Sequence, residues 1–327
     1  MTRRMRPSMR AKYRSRLPQL SERLFLTDGG IETTLIFHEG LTLPDFAAFD
    51  LLKTVEGTAA LRKYFRTYID IAKRFGTGLI LESATWRANT DWGTRLGYSP
   101  QALADSNRQA IRLLEDIRAE SETAASPIVI SGCVGPRGDG YVPASAMSEA
   151  DAQAYHHDQI HAFASTAADM VSAITMNYVA EAVGAVRAAR ASDMPVAISF
   201  TVETDGRLPT GQALRSAIEE VDAKTDRYAA YYAINCAHPT HFEDILAESG
   251  DWIGRIRAVR ANASRQSHAE LNESTQLDPG NPAELGGDYA RLMSRLPRLN
   301  VMGGCCGTDH RHITCIAEAC APLFQAI

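Results

Sequence analysis

The 327-residue chain contains no run of roughly 18 or more apolar residues, so no segment of it can cross a bilayer as a helix. An overall basic field is missing as well. Its 34 Lys and Arg stand against 39 Asp and Glu for a net charge of -5, which argues against a nucleic-acid partner. No Gly-x-Gly-x-x-Gly joins a strand to a helix and there is no P-loop, so the nucleotide-binding fingerprints are absent. Neither a Pro-, Gly- or Ser-rich linker nor an internal sequence repeat divides the chain, and one domain is the simplest organisation. Cysteine is scarce, at six residues, and two of them are adjacent at Cys305 and Cys306. Adjacent cysteines suit ordinary bridges poorly, and a chain of this length needs no covalent staples, so no disulfide framework is expected.

What is present is the composition of a globular protein, 45% hydrophobic and 22% charged. The first segment departs from it. Arg3, Arg4, Arg6, Arg10, Lys12, Arg14 and Arg16 occur before any Asp or Glu, without the apolar core of a secretory signal. Residues 1–20 are therefore expected to form a flexible basic arm and residues 21–327 the folded domain, in the cytoplasm.

Short apolar runs rich in β-branched residues recur, each followed by a stretch of helical periodicity, the pattern of repeated βα units. Strands are expected at 24–28, 78–84, 127–133, 170–175, 195–202, 231–236, 256–262 and 300–304. Helices are expected at 55–75, 100–120, 148–168, 179–191, 212–223, 241–248, 282–295 and 310–321, with Ser148 as a capping residue for the third. Such alternation argues for an α/β fold closed as a (β/α)8 TIM barrel, with an open doubly wound sheet as the alternative. The segments 203–212 and 264–287 read as long connections over the C-terminal face, where barrel active sites are built.

On this strand map Cys236 ends the sixth strand and Cys305 and Cys306 end the eighth, so three thiols converge on one mouth of the barrel. Zinc suits thiolates, and a catalytic zinc has three protein ligands and an open fourth position. Gly303, Gly304 and Gly307 allow the tight turn that points neighbouring sulfurs at one ion. Cys133, Cys315 and Cys320 read as small packed hydrophobes, and His156, His157 and His161 as residues of an outer helix. His238 and His310 flank the thiols, with supporting roles. Trp86 and Trp92, after the second strand, form a candidate aromatic wall for a sulfonium or quaternary ammonium group.

Three motifs, NVMGGCCGTDHRH at 300–312, NCAHP at 235–239 and TDGGIE at 27–32, together resemble the homocysteine S-methyltransferase family. The resemblance implies a (β/α)8 barrel with Zn2+ on Cys236, Cys305 and Cys306. It also implies that Asp28, with Gly29 beside it, lies at the substrate site, and that a methyl group moves from a small sulfonium or ammonium donor to an amino-acid thiol such as homocysteine. The expected partners are thus a small-molecule thiol acceptor and a methyl donor, with a homo-oligomer possible. The family usually carries a Glu-Thr pair at the end of the fourth strand, where this chain has Ile174 and Thr175. Glu203, past the fifth strand, is offered as the compensating ligand for the substrate amine, and Glu82 is a further acid near the second strand's end. A zinc hydrolase on the same fold and a noncatalytic zinc- or thiol-binding barrel are the rival readings.

Overall fold

The computed structural model describes residues 11–142, 146–248, 250–274 and 276–325. Eight parallel strands close in sequence order: β1 (Phe25–Leu26), β2 (Gly78–Glu82), β3 (Ile128–Val134), β4 (Met170–Met176), β5 (Val196–Thr201), β6 (Tyr231–Asn235), β7 (Ile256–Ala261) and β8 (Val301–Gly304). β1 pairs with both β2 and β8, which completes the ring and excludes the open sheet.

Most of the outer layer follows the helical periodicity. Its helices are α1 (Val55–Phe75), α2 (Thr90–Arg95), α3 (Pro100–Ser121), α4 (Glu149–Ala164), α5 (Val179–Ala191), α6 (Leu214–Lys224), α7 (His268–Glu273), α8 (Pro282–Leu292) and α9 (His310–Gln325). Ser148 caps α4 by accepting from the Asp151 amide at 3.1 Å. The short α7 lies inside the connection expected at 264–287, and the short α2 lies between β2 and α3, where no helix was expected. The helix expected at 241–248 is replaced by two 3-10 turns, Pro239–His241 and Ile245–Ala247. Phe242 and Leu246 are buried there, so two anchors hold a segment that spans the distance without a full helix.

Alternation along the strands stacks the barrel interior in layers. Phe25, Ile80, Val129, Met170, Ala197, Tyr231, Ala258 and Val301 form one apolar cluster towards the strand starts. Two residues further on come Glu82, Ser131, Ser172, Ser199 and Arg260, a polar layer beneath the C-terminal mouth. Ser131 and Ser172 hydroxyls lie 2.9 Å apart, and Ser172 donates to Glu82 Oε1 at 2.8 Å.

Of the flexible arm expected over residues 1–20, Met1 to Arg10 lie outside the described residues, and from residue 11 onward the chain packs against the foot of the barrel. Leu17 joins the apolar cluster inside the barrel, Tyr13 packs on it, and Gln19 is buried. Arg14 donates to the Ala164, Thr166 and Ala168 carbonyls, covering the C-terminal end of α4 where a cation is favoured. The basic residues of this segment answer helix-end carbonyls and the Glu122 carboxylate rather than solvent alone.

Candidate metal centre and active site

β6 and β8 end at the same rim, and the residues that follow, Cys236 and the Cys305-Cys306 pair, bring three sulfurs within 4.8 Å of one another. Cys236 is buried, while Cys306 is exposed towards the mouth. Cys236 and Cys305 are joined as a disulfide, a single pair within the thiol cluster rather than a framework of bridges. Their Cα atoms lie 5.4 Å apart, inside the range a bridge needs, because strand ends that aim two thiols at one ion also aim them at each other. Cys133 and Cys320 are buried and free.

The backbone that presents Cys236 is held in an uncommon conformation. Cys236 and Thr175 have φ of 54° and 66°, left-handed values that non-glycine residues adopt at a cost. Asn235 secures both ends. Its Oδ1 accepts from Ser199 Oγ at 2.5 Å and from the Thr175 amide at 3.0 Å, and its Nδ2 donates to Thr175 Oγ1 at 2.9 Å. The Cys236 carbonyl accepts from Asn262 Nδ2 at 3.0 Å and lies 2.5 Å from His268 Nε2. Elsewhere on the same rim, a β-carbon at Gly303 would collide with the Thr27 hydroxyl, and Gly307 turns with φ of 78°. The Gly304 amide donates to the Asp28 carbonyl at 2.9 Å, Gly30 to the Thr308 carbonyl at 3.1 Å, and Gly307 to Thr33 Oγ1 at 3.0 Å. TDGGIE and GGCCGTD are therefore one hydrogen-bonded unit.

The remaining sequence-derived residues fall unevenly around the thiols. Asp28 is buried in an ion pair with Arg260 of β7, Oδ1 to Nη2 at 2.5 Å, and Tyr64 donates to its Oδ2 at 2.9 Å. Its carboxylate is thus committed to the protein, and the Gly29 carbonyl accepts from the same Tyr64 hydroxyl at 2.9 Å. Thr175 is buried with its hydroxyl taken by Asn235. Glu203 Oε1 lies 3.3 Å from His268 Nδ1, so it reaches the centre through a histidine. Glu82 is buried in the polar layer, where burial pushes its carboxyl up against the opposing pull of Arg260. His238 bonds Thr240, and His310 is exposed at the start of α9.

The Trp86 and Trp92 rings face cations of this chain: Arg87 lies 4.9 and 3.8 Å from the two centroids, and Arg95 lies 5.4 Å from that of Trp92. A wall already covered by a guanidinium repels an onium donor at that face.

Four residues of the mouth escaped the sequence reading. Tyr141 places its hydroxyl 3.6 Å from Cys306 Sγ, and its ring lies 4.3 Å from that of His268. Arg260 pairs with Asp28, and Glu32 completes the set. Burial pushes the Glu32 carboxyl up to about 7; its own backbone amide opposes the rise, Asp28 adds to it, and Arg87 and Arg260 oppose it. Between the ordinary carboxyl range and pH 7 the folded chain holds a proton that the unfolded chain has released. Stability therefore falls with rising pH across that window and is level for this group above it. Urea denaturation at pH 5 and pH 7.5 should show the wild type losing on the order of 1–3 kcal/mol relative to Glu32→Gln. Parallel curves for the two proteins would contradict the shift.

A model of the family described as homocysteine S-methyltransferase matches residues 25–320. The chain belongs to the homocysteine S-methyltransferase family. Betaine–homocysteine S-methyltransferase 1 of Rattus norvegicus is 28% identical over 196 residues, covering 54% of this chain and 46% of that protein. The chain thus spans under half the length of that curated relative. The homocysteine methyltransferase MmuM of Escherichia coli shares the fold. Its oxidized form superposes with a TM-score of 0.72 at 18% identity, covering 92% of this chain and 97% of that one. Its metallated form gives 0.68 at 17% identity, with 91% and 96% covered. Among the described residues no helix of this family member is long and apolar enough to cross a membrane.

Proposed function

We propose that the chain is a zinc-dependent S-methyltransferase that moves a methyl group from a small sulfonium or ammonium donor to the thiol of homocysteine, giving methionine, or to a related amino-acid thiol or selenol. The observation that carries this reading is the convergence of three sulfurs within 4.8 Å at the mouth of a barrel of this family. Three soft donors on two rim segments, one of them exposed, fit a zinc ion with one position left for a ligand from the mouth. When bound there, zinc supplies a divalent charge that favours the acceptor's thiolate over its thiol near neutral pH.

The chain's own groups divide the remaining work. The acceptor enters on the Cys306 side, beneath the Tyr141 hydroxyl and the His268 ring. His268, held by Glu203, fixes the carbonyl of Cys236 and with it the strained turn that aims that thiol. Once the acceptor has lost its proton to solvent, its sulfur forms the new bond to the methyl carbon. The onium–methyl bond breaks with its electron pair going to the donor's sulfur or nitrogen, which becomes neutral. In-line positioning and loss of water around the donor cation lower this barrier. The Cys236–Cys305 bridge must be reduced for both thiolates to be available, which suits the reducing cytoplasm.

The test uses reduced, zinc-loaded protein with L-homocysteine and, in turn, S-methylmethionine, S-adenosylmethionine and betaine, with methionine read by mass spectrometry. Methionine from at least one donor, lost on chelation, is expected. Bound zinc without product from any of the three would contradict the reading for homocysteine.

A further inference from the structure

The TWRANTDW segment at 85–92 holds a charge that the catalytic account does not use. Arg87 lies against the Trp92 ring at 3.8 Å and the Trp86 ring at 4.9 Å, and its Nε and Nη1 are buried without a hydrogen-bond partner. Burying guanidinium donors unpaired is costly, so such donors mark a place for an acceptor. Arg260 offers the contrast. Its Nη1 is also unpartnered, but Nη2 is committed to Asp28 and Nε to the Gly304 carbonyl. Arg87 has no such commitment among the described residues.

The placement is at the substrate mouth. Asp139, Glu32, Asp45 and Tyr141 lie close enough for their charges to act on Arg87, and Tyr141 reaches Cys306 Sγ at 3.6 Å. Trp86 is fixed from the other side, its Nε1 donating to the Ile174 carbonyl at 3.3 Å. Ile174 stands where the family resemblance puts a carboxylate, and β4 here supports the Trp86-Arg87 step instead. The mouth therefore presents a cation where a substrate's polar end must be held.

We propose that Arg87 is a substrate-binding residue, its unpartnered Nε and Nη1 holding the carboxylate of a small substrate in this mouth. This deepens the proposed function and rests on it for the choice of substrates. A carboxylate is the complementary chemistry: it satisfies both buried donors, and a planar guanidinium held on an indole is already oriented. Either the acceptor or the donor can bring that group, and the two sources are separable by probe.

Binding to reduced, zinc-loaded protein is measured by calorimetry for two pairs. L-homocysteine is compared with 3-aminopropane-1-thiol, and S-methylmethionine with (3-aminopropyl)dimethylsulfonium; within each pair only the carboxylate is lost. One pair should differ by about 10- to 100-fold in wild-type protein, a difference that identifies the source. In Arg87→Gln that difference should collapse to within about twofold, while Arg87→Lys keeps part of it. Equal binding within both wild-type pairs would overturn the proposal without any variant having to fold. So would full discrimination in a folded Arg87→Gln protein. Failure to form methionine while discrimination persists would count against the proposed reaction and leave the carboxylate subsite standing.

Discussion

Cys306→Ser protein should emerge from reducing purification folded but without tightly held zinc, and its methyl transfer should fall with the metal. Cys306 is exposed and unbridged, so exchanging its sulfur for oxygen disturbs little packing. Its place among three sulfurs within 4.8 Å makes it a third of the donor set. Groups that merely support a metal ligand are worth about 10- to 100-fold in affinity, so removing a ligand should cost at least about 100-fold. A serine hydroxyl also retains its proton near neutral pH and is a poor partner for an ion chosen by soft ligands. Metal analysis after dialysis against a weak chelator, with thermal melting as the control, reads both halves. A folded variant that retains stoichiometric zinc and full turnover would remove Cys306 from the site.

Arg260→Met should produce the largest loss of stability among changes at the mouth, about 3–5 kcal/mol at neutral pH. The guanidinium lies 2.5 Å from Asp28 Oδ1, with both side chains largely buried, and its charge also acts on buried Glu82. Methionine fills much of the volume but leaves the Asp28 carboxylate with only the Tyr64 hydroxyl at 2.9 Å. The penalty is that of an uncompensated buried charge rather than of lost packing, so Asp28→Asn in the same protein should recover a large share of it. Urea unfolding of the two single variants and the double variant measures this. If the double variant is no more stable than Arg260→Met, the ion pair is not what the arginine provides.

The barrel was legible because each strand is a short apolar run followed by a helical period, and closure needs only that rhythm repeated. β2, β4, β5 and β7 fall within about a residue or two of the sequence-derived bounds at each end, and α1 and α5 match theirs. The thiols were legible for the same reason, since residues just past the ends of parallel strands share a rim. What failed depended on contacts that sequence spacing does not encode. The arrangement of rings at Trp86 and Trp92 invites a cation, but only the folded loop shows that Arg87 supplies it. Asp28 and Arg260 lie on β1 and β7 sides of β8 and meet only across the closed ring. Arg260 did leave a trace, as a charged residue two positions after Ala258 on the inward face of a core strand, where burial demands a partner. His268 and Tyr141 left none, because they come from connections whose path over the mouth is set by tertiary packing. The basic N-terminal segment misled for a related reason: charge density suggested solvent, while Leu17 and Gln19 sit buried at the foot of the barrel.

The central claim is that three cysteines hold one metal ion that takes the acceptor's sulfur. X-ray absorption at the zinc edge of reduced, zinc-loaded protein tests it most directly. About one zinc per chain with three sulfur neighbours, rising to four when L-homocysteine is added, is the predicted result. A zinc shell dominated by nitrogen or oxygen, or a sulfur count unchanged by saturating homocysteine, would contradict the account.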